Sequence, residues 1–308
     1  MQACLYNKIW YDIYGLDVKI MLKCESICKN IKEILVNKKS IITWVDSIFD
    51  NVVNLQTKEH GIITCTKRRE VLVPYGILLN NEFCPKNYEI GQKIYLSDKN
   101  ETNTDSIFIN INSVNIVDLQ LYKCSKNINI SELKRILSIF LKNNNLNYCI
   151  GEILSRIESL YLEKLHLNYS LDIVENILPL FEKFIEKVKD NKNLKEYNNI
   201  LGFGVGMTPS SDDFILGMLS VFCFFNNDRS NILKEYIGEN LHTTTKISFN
   251  MLSNALKDNF PSYIIDFYSQ ISVDLSCLEN ILNVFANHGH SSGIDTLYGI
   301  YVGLSCLY

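Results

Sequence analysis

The spacing of apolar residues along the chain changes between Leu119 and Ser131. Before this point the apolar runs are short, rich in β-branched residues and separated by turn signals. Six runs fit strands: IITWV (41–45), NVVNL (51–55), GIITCT (61–66), EVLVP (70–74), KIYL (93–96) and SIFINI (106–111). This pattern predicts a small antiparallel sheet or barrel.

After Ser131 the apolar residues recur with a helical period, at i, i+3, i+4, i+7 and i+8 from Leu133 to Leu141. The same spacing continues from Ile153 to Tyr161, and Pro179 predicts a kink or break in a helix over 171–188. A polar surface loop is expected at 187–199, and further helices over 212–225, 232–241, 248–256, 263–271, 275–286 and 294–307. We therefore predict an α+β protein, with a β-rich domain over residues 1–125 and a helical domain over residues 126–308.

Composition excludes several classes of protein. Of 308 residues, 30 are basic and 34 acidic, and the net charge of −4 comes without a basic stripe, which argues against a nucleic-acid partner. The apolar run Phe214–Phe225 is shorter than the roughly 20 residues of a membrane span, and the N-terminus lacks a secretory pattern. The ten cysteines are scattered, and only Cys24 and Cys28 have the spacing of one helical face. We expect a cytoplasmic protein with reduced thiols, no membrane contact and no structural zinc.

The stretch GFGVGMTPSSDDF, residues 202–214, combines a glycine loop with a helix start. Thr208 fits the N-cap and Pro209 the first helical position, while the carboxylates of Asp212 and Asp213 complement the helix dipole. Loop N–H groups without shielding side chains, together with the positive helix end, form an anion site. The predicted anion-binding residues of this loop are Gly202, Gly204, Gly206, Thr208, Ser210, Ser211 and Asp212.

Other interpretations of the loop remain open. It can be a tight, capped connection between two buried helices, with the carboxylates only as dipole partners. It is neither a Walker loop, since no Gly-Lys-Ser/Thr follows, nor a dinucleotide fingerprint, since no strand–helix–strand unit surrounds it. Because Asp212 and Asp213 point about 100° apart on a helix, one of them could ligate Mg²⁺ or orient a ligand amine while the other caps the loop. No other cofactor is predicted.

A second motif, NHGHSSGIDTLYGIYVGL (287–304), repeats the combination of glycine, polar cap and apolar helix. Ser291 or Ser292 can cap, and Asp295 stands three residues after Ser292, as in a capping box. Asp295, Gly299 and Gly303 share one face, where small residues permit close approach of another helix, such as that of Gly217. We expect the two motifs to meet in space.

Two histidines and a threonine run complete the predicted site. His290 directly precedes the helix start and is the candidate proton donor or carbonyl polariser, although a capping histidine is the common alternative. His288 and His290 lack a third metal ligand, so no metal site is assigned to them. In HTTTKISF, residues 242–249, the hydroxyls fit a helix cap, and the alternative is that Thr245 donates to the same anion site.

The two motifs together resemble a bacterial domain family of unassigned function that includes the AllH-type subunit of oxamate carbamoyltransferase, from allantoin degradation. The family patterns are G-x-G-x-G-L-T-P-S-G-D-D-F and G-H-[ST]-S-G-x-D. Here Ser211 replaces the usual glycine and Met207 the usual leucine. The motifs cover about a tenth of the chain. The N-terminal half supports the resemblance only through its β-rich sequence.

The resemblance implies carbamoyl transfer, in which oxalurate and phosphate give oxamate and carbamoyl phosphate. This purine-catabolism reaction needs phosphate donors, a polariser for the carbamoyl oxygen and groups that orient the amide. On this chain the phosphate donors would be the glycine loop with Ser291, Ser292 and Thr245. His290 would be the polariser, and Asp212, Asp213 or Asp295 would orient the amide. The implied partners are small anionic substrates and other subunits, one of them related to acyl-CoA synthetases. The alternatives are a non-catalytic anion-binding or scaffold subunit, and a helical module without a ligand.

Overall fold

A computed structural model of the chain describes residues 22–98, 106–110, 112–144, 149–157, 160 and 168–308. The predicted strand position Ile111 and the predicted helix position Tyr161 lie outside these residues. The chain divides into two compact units between Leu119 and Gln120. The first unit contains the sheet and the second is helical, so the protein has the predicted α+β class.

In its described residues, the first unit is a curled mixed sheet with one α-helix. Its strands are β1 Leu22–Cys28, β2 Ser40–Ile48, β3 Val52–Thr57, β4 Ile62–Thr66, β5 Gly76–Leu79, β6 Lys93–Ser97, β7 Ser106–Phe108 and β8 Asn115–Val117, with α1 Lys29–Lys38 after β1. Their order is β5-β4-β3-β2-β6-β7-β1-β8, and β1 also pairs with β5, which curls the described strands into a ring. Ile27, Val45 and Ile63 are among the buried side chains of its core.

The sheet differs from the prediction in three ways. It is mixed and not antiparallel, because β1 runs parallel to β7 and β8, and β4 runs parallel to β5. The run EVLVP is not a strand: residues Arg69–Val71 form a short 3₁₀ helix, and the strand begins at Gly76. Cys24 and Cys28 lie in strand β1 and not on a helix.

The second unit is built from helices around a large apolar core. They are α2 Ile130–Asn143, α3 Gly151–Leu154, α4 Leu171–Lys189, α5 Ser210–Phe224, α6 Arg229–Asn240, α7 Lys246–Ala255, α8 Ser262–Ile271, α9 Leu278–Ala286 and α10 Ser292–Ser305. Pro179 lies inside α4 without ending it. Leu121 and Cys124 donate backbone hydrogen bonds to Asp258 and Phe224 of this unit.

Helices α5 and α10 form the centre of that core. Every residue of α5 is buried, as is α10 from Gly293 to Leu304. Helices that are apolar all round need neighbours on every side, which explains their central position. None of the helices in the described residues combines the length and the apolar character that a bilayer span requires.

Candidate functional site

The two sequence motifs lie at the same end of the α5–α10 pair. A Cβ atom on Gly217 would stand 2.1 Å from the Thr296 carbonyl oxygen, and one on Gly299 would stand 1.9 Å from that of Phe214. Gly303, one turn further along α10, faces Met218 and Val221, so the helices run in the same direction. Glycine permits this backbone contact, and the parallel direction brings both N-termini together. The predicted close approach of these two helices is confirmed.

The glycine loop passes over the beginning of α5. Gly202, Gly204 and Gly206 have φ angles of 86°, 125° and 97°, in the region that favours glycine. A Cβ on Gly204 would stand 2.5 Å from the backbone nitrogen of Ser210, whereas one on Gly206 would meet no atom within 4 Å. The loop therefore touches the helix at Gly204 and is open at Gly206.

Asp212 and Ser211 of α5 hold the glycine loop through hydrogen bonds to its backbone. Asp212 Oδ1 accepts a 2.7 Å bond from the Gly202 N–H, and its other oxygen accepts one from the Thr244 hydroxyl. Ser211 accepts from the Phe203 N–H at 2.9 Å and donates its own N–H to the Phe203 carbonyl at 2.9 Å. Burial raises the pKa of Asp212, while the hydrogen bonds from Thr244 and Gly202 lower it. Both side chains therefore bond to the loop backbone in this structure.

Thr245 holds the outer side of the loop. Its hydroxyl accepts a 3.2 Å bond from the Ser248 N–H at the start of α7 and donates a 2.5 Å bond to the Met207 carbonyl. The predicted threonine cap is thus confirmed, and the same side chain positions the open part of the glycine loop.

Thr208 joins the two motifs. Its hydroxyl lies 2.6 Å from that of Ser292, although 84 residues separate them in sequence. Thr208 is not the N-cap that the sequence predicts, because Pro209 occupies that position and no side chain caps α5. Ser291 does occupy the N-cap of α10, but it makes no capping bond.

Two carboxyl groups, Asp213 and Asp295, lie in the first turns of these helices and are almost completely buried, at 1% and 0% exposure. Asp295 Oδ1 accepts a 2.6 Å bond from the Ile150 N–H. Burial raises the pKa of Asp295 to about 7. Burial and then the charge of Asp295 raise the pKa of Asp213 well above its usual value, while the hydroxyls of Ser292 and Thr208 lower it. Among the described residues, Oδ2 of each carboxyl group has no hydrogen-bond partner.

Residues Ile150, Glu152, Asn168 and Tyr169 also contribute to this region, and the sequence analysis missed them. Buried Glu152 accepts bonds from the N–H groups of Asn168 and Tyr169 at 2.8 and 3.1 Å. The hydroxyl of buried Ser210 interacts with both Tyr169 and Asp295. No periodic or motif signal marks Ile150 or Glu152 as neighbours of α10, so only the folded chain identifies them.

The two histidines of the second motif have different surroundings. His290 is exposed and makes no hydrogen bond to the described part of the chain. The ring of His288 stacks on Tyr263, with centroids 4.5 Å apart. Within the described ranges, no group of three or more His, Cys, Asp or Glu side chains could hold a metal ion.

Backbone N–H groups are available on both sides of the Thr208–Ser292 contact. Those of residues 204–208 donate no hydrogen bond within the described chain. The same holds for the N–H groups of His290, Ser291 and Ser292. Such groups beside two helix N-termini create a region of positive potential.

Two family models match the chain. The first, the AllH family N-terminal domain, matches residues 23–121. The second, oxamate carbamoyltransferase subunit AllH, matches residues 200–304, which contain both motifs. No solved structure matches the chain significantly. Together the two models cover most of the chain, which therefore belongs to the AllH family.

Proposed function

We propose that this chain is a cytoplasmic subunit of a carbamoyltransferase that acts on oxamate or oxalurate and on carbamoyl phosphate. The phosphate or carboxylate group of the substrate binds at the glycine loop. The observation that carries the proposal is the run of free N–H groups at 204–208, next to those of His290, Ser291 and Ser292. The family description supplies the reaction, since it names an oxamate carbamoyltransferase subunit.

The site residues take distinct roles in this proposal. N–H groups of Gly204 and Gly206 and the hydroxyls of Thr208 and Ser292 bind the anion. His290 stands exposed beside them and polarises the carbamoyl oxygen or transfers a proton. Ser211, Asp212 and Thr245 hold the loop in place through the bonds described above. Backbone donors that are already in position stabilise developing negative charge without reorganisation.

The test is thermal unfolding of the full chain with phosphate, carbamoyl phosphate, oxamate or oxalurate, each with and without Mg²⁺. A ligand at one hundred times its dissociation constant stabilises the fold by about 2.7 kcal/mol. Gly206→Val should abolish this effect, because its side chain would occupy the open part of the loop. Gly91→Val is the matched control, since Gly91 has a φ of 84° and equally open surroundings in the first unit.

Two results of this experiment would contradict the proposal. If none of the four anions shifts the unfolding temperature of the wild-type chain, the glycine loop does not bind substrate by itself. The chain is then a scaffold subunit, and the site forms only with its partners. If Gly206→Val retains the wild-type shift while the anions still bind, the site lies elsewhere on the chain.

A further inference from the structure

The buried carboxyl groups of Asp213 and Asp295 have no role in the substrate contacts proposed above. Asp213 lies next to the Thr208–Ser292 contact, because both hydroxyls of that contact interact with it, and the charge of Asp295 acts on Asp213. Each carboxyl group keeps one oxygen without a hydrogen-bond partner in the described chain. An unpartnered buried oxygen is unfavourable when the group is ionised, because nothing replaces the water that it has lost.

Among the described residues, the ionisable groups with the largest effects on this pair do not include a cation. Asp295 is affected by Glu152 of α3, and Asp213 by Asp212 of α5. Other ionisable neighbours in the described ranges include the phenols of Tyr169, Tyr263 and Tyr298 and the thiol of Cys149. All of these groups are either neutral or negatively charged. Two like charges in one buried site disfavour double ionisation, so the environment favours at least one proton on the pair.

We propose that the Asp213–Asp295 pair takes up a proton when an anion binds at the glycine loop, and that it positions the hydroxyls of Thr208 and Ser292. This inference rests on the function proposed above. The anion would stand one hydroxyl layer above the pair and add a further negative charge there. A proton from the solvent, added to Oδ2 of one carboxyl group, removes one charge. A neutral carboxyl group also no longer competes as strongly for the hydroxyl hydrogens, which can then turn towards the anion.

Asp213 and Asp295 are therefore positioning residues that act through Thr208 and Ser292. Their burial agrees with this role, because neither carboxyl group reaches the surface. The raised pKa of Asp295, about 7, places its titration where a bound anion can change its protonation. An anion shifts this pKa further upward, so affinity declines as pH rises above about 7.

The experiment is calorimetric titration of the full chain with oxamate, whose carboxylate stays ionised throughout the range from about pH 6 to 9. Measurement in two buffers with different ionisation enthalpies reports the protons taken up. Linkage to one proton predicts an affinity that falls by up to about tenfold per pH unit above about 7. It also predicts uptake of up to one proton per oxamate in that range.

Two variants and a control separate this coupling from other causes. Asp295→Asn keeps an acceptor for Ile150 but cannot titrate, so its oxamate affinity should be independent of pH. Asp172→Asn, on an exposed first-turn aspartate of α4, should behave like the wild type. The second motif also carries the imidazoles of His288, which lies against Tyr263, and of His290, and His290→Asn should keep the wild-type pH dependence. If Asp295→Asn fails to fold, the pH dependence of oxamate affinity in Asp213→Asn and the proton uptake of the wild type test the coupling instead.

The outcomes are distinct. Oxamate affinity that is constant with pH, without proton uptake, overturns the coupling but leaves the proposed anion site intact. Loss of the pH dependence in His290→Asn assigns the proton to the imidazole of His290, and this result also overturns the coupling. Absence of oxamate binding at every pH overturns both the site and the coupling. A pH dependence that disappears only when Asp295 or Asp213 is replaced supports the proposal.

Discussion

The carbonyl oxygen of Phe214 lies 1.9 Å from the point that a Cβ atom on Gly299 would occupy. The backbones of α5 and α10 are thus in direct contact, and a Cβ atom on Gly217 would likewise stand 2.1 Å from the Thr296 carbonyl oxygen. Because each helix carries one of the two motifs at its N-terminus, this contact sets the separation of the two loops. The glycines in the helices therefore matter as much for the site as those in the loop.

Gly299→Ala should destabilise the chain by about 3 kcal/mol or more, because the added methyl group can be accommodated only if the two helices move apart. The measurement is urea unfolding. Gly238→Ala is the control: Gly238 lies on the exposed side of α6 and has no atom within 4 Å of the new Cβ. That variant should gain about 0.5–1 kcal/mol. Equal stability of Gly299→Ala and the wild type would contradict the described contact.

Asp212→Ala should loosen the glycine loop. The N–H of Gly202 and the hydroxyl of Thr244 both lose their acceptor, at a cost of about 1–3 kcal/mol in the free energy of unfolding. Hydrogen exchange at the Gly202 amide should accelerate in the native state. Asp190→Ala removes an exposed carboxylate paired with Lys192, so its stability should stay close to that of the wild type. An unchanged exchange rate at Gly202 in Asp212→Ala would argue against the anchoring role.

Asp295→Asn should stabilise the chain at neutral pH. The pKa of Asp295 is about 7 in the folded chain against a usual 3.8, so folding favours its protonated form. Wild-type stability relative to the variant is therefore greatest below about pH 4 and falls as pH rises to 7. Since one pKa unit corresponds to about 1.4 kcal/mol, the full change is on the order of 4 kcal/mol.

The measurement for Asp295→Asn is urea unfolding of both chains at several pH values from about 4 to 8. The difference in stability should grow up to pH 7 and then stay constant. Asp172→Asn, whose carboxylate is exposed, should show no such trend. A difference between Asp295→Asn and the wild type that is the same at all pH values would show that this carboxyl group is ionised throughout.

His290→Asn should leave the fold intact and impair the reaction. The side chain is exposed and makes no hydrogen bond within the described chain, so stability should change by no more than about 0.5 kcal/mol. Loss of a proton donor or polariser should lower turnover of the assembled carbamoyltransferase by about 10²-fold or more. Steady-state kinetics with the partner subunits provides the measurement. Full turnover in His290→Asn would remove it from the proposed catalytic residues.

Local patterns predicted most helices of the second unit, because an apolar face with a 3.6-residue period is visible within the segment itself. The exception is the segment predicted from Ile153 to Tyr161, where the helix ends at Leu154 and residues 155–157 are not helical. The sheet was harder to predict. Strand β1 is stabilised by β5, β7 and β8, which lie far along the chain, and its two cysteines suggested a helix. The run EVLVP has strand-like composition, but Arg69–Val71 turn as a 3₁₀ helix before Pro74. Pairing between distant strands determines these elements, and local composition does not record it.

The site was predicted only in part, because some of its contacts join residues that lie far apart in the sequence. Glycine spacing indicated the loop, and the small residues Gly299 and Gly303 indicated the helix contact that brings the motifs together. The bond from Ile150 to Asp295 spans 145 positions and uses a backbone N–H, which any residue type except proline provides. Nothing in the identity of Ile150 or Glu152 distinguishes them from other residues in a buried helix. Contacts of this kind follow from the fold alone.

The burial of α5 has a consequence for synthesis of the chain. This helix needs α10 along its length, yet helices α6 to α9 are translated between them. The described strands of the first unit all end before Leu119, so this sheet can fold while the rest of the chain is still being made. Helix α5 instead leaves the ribosome with its apolar surface uncovered, and it depends on later residues for protection from aggregation.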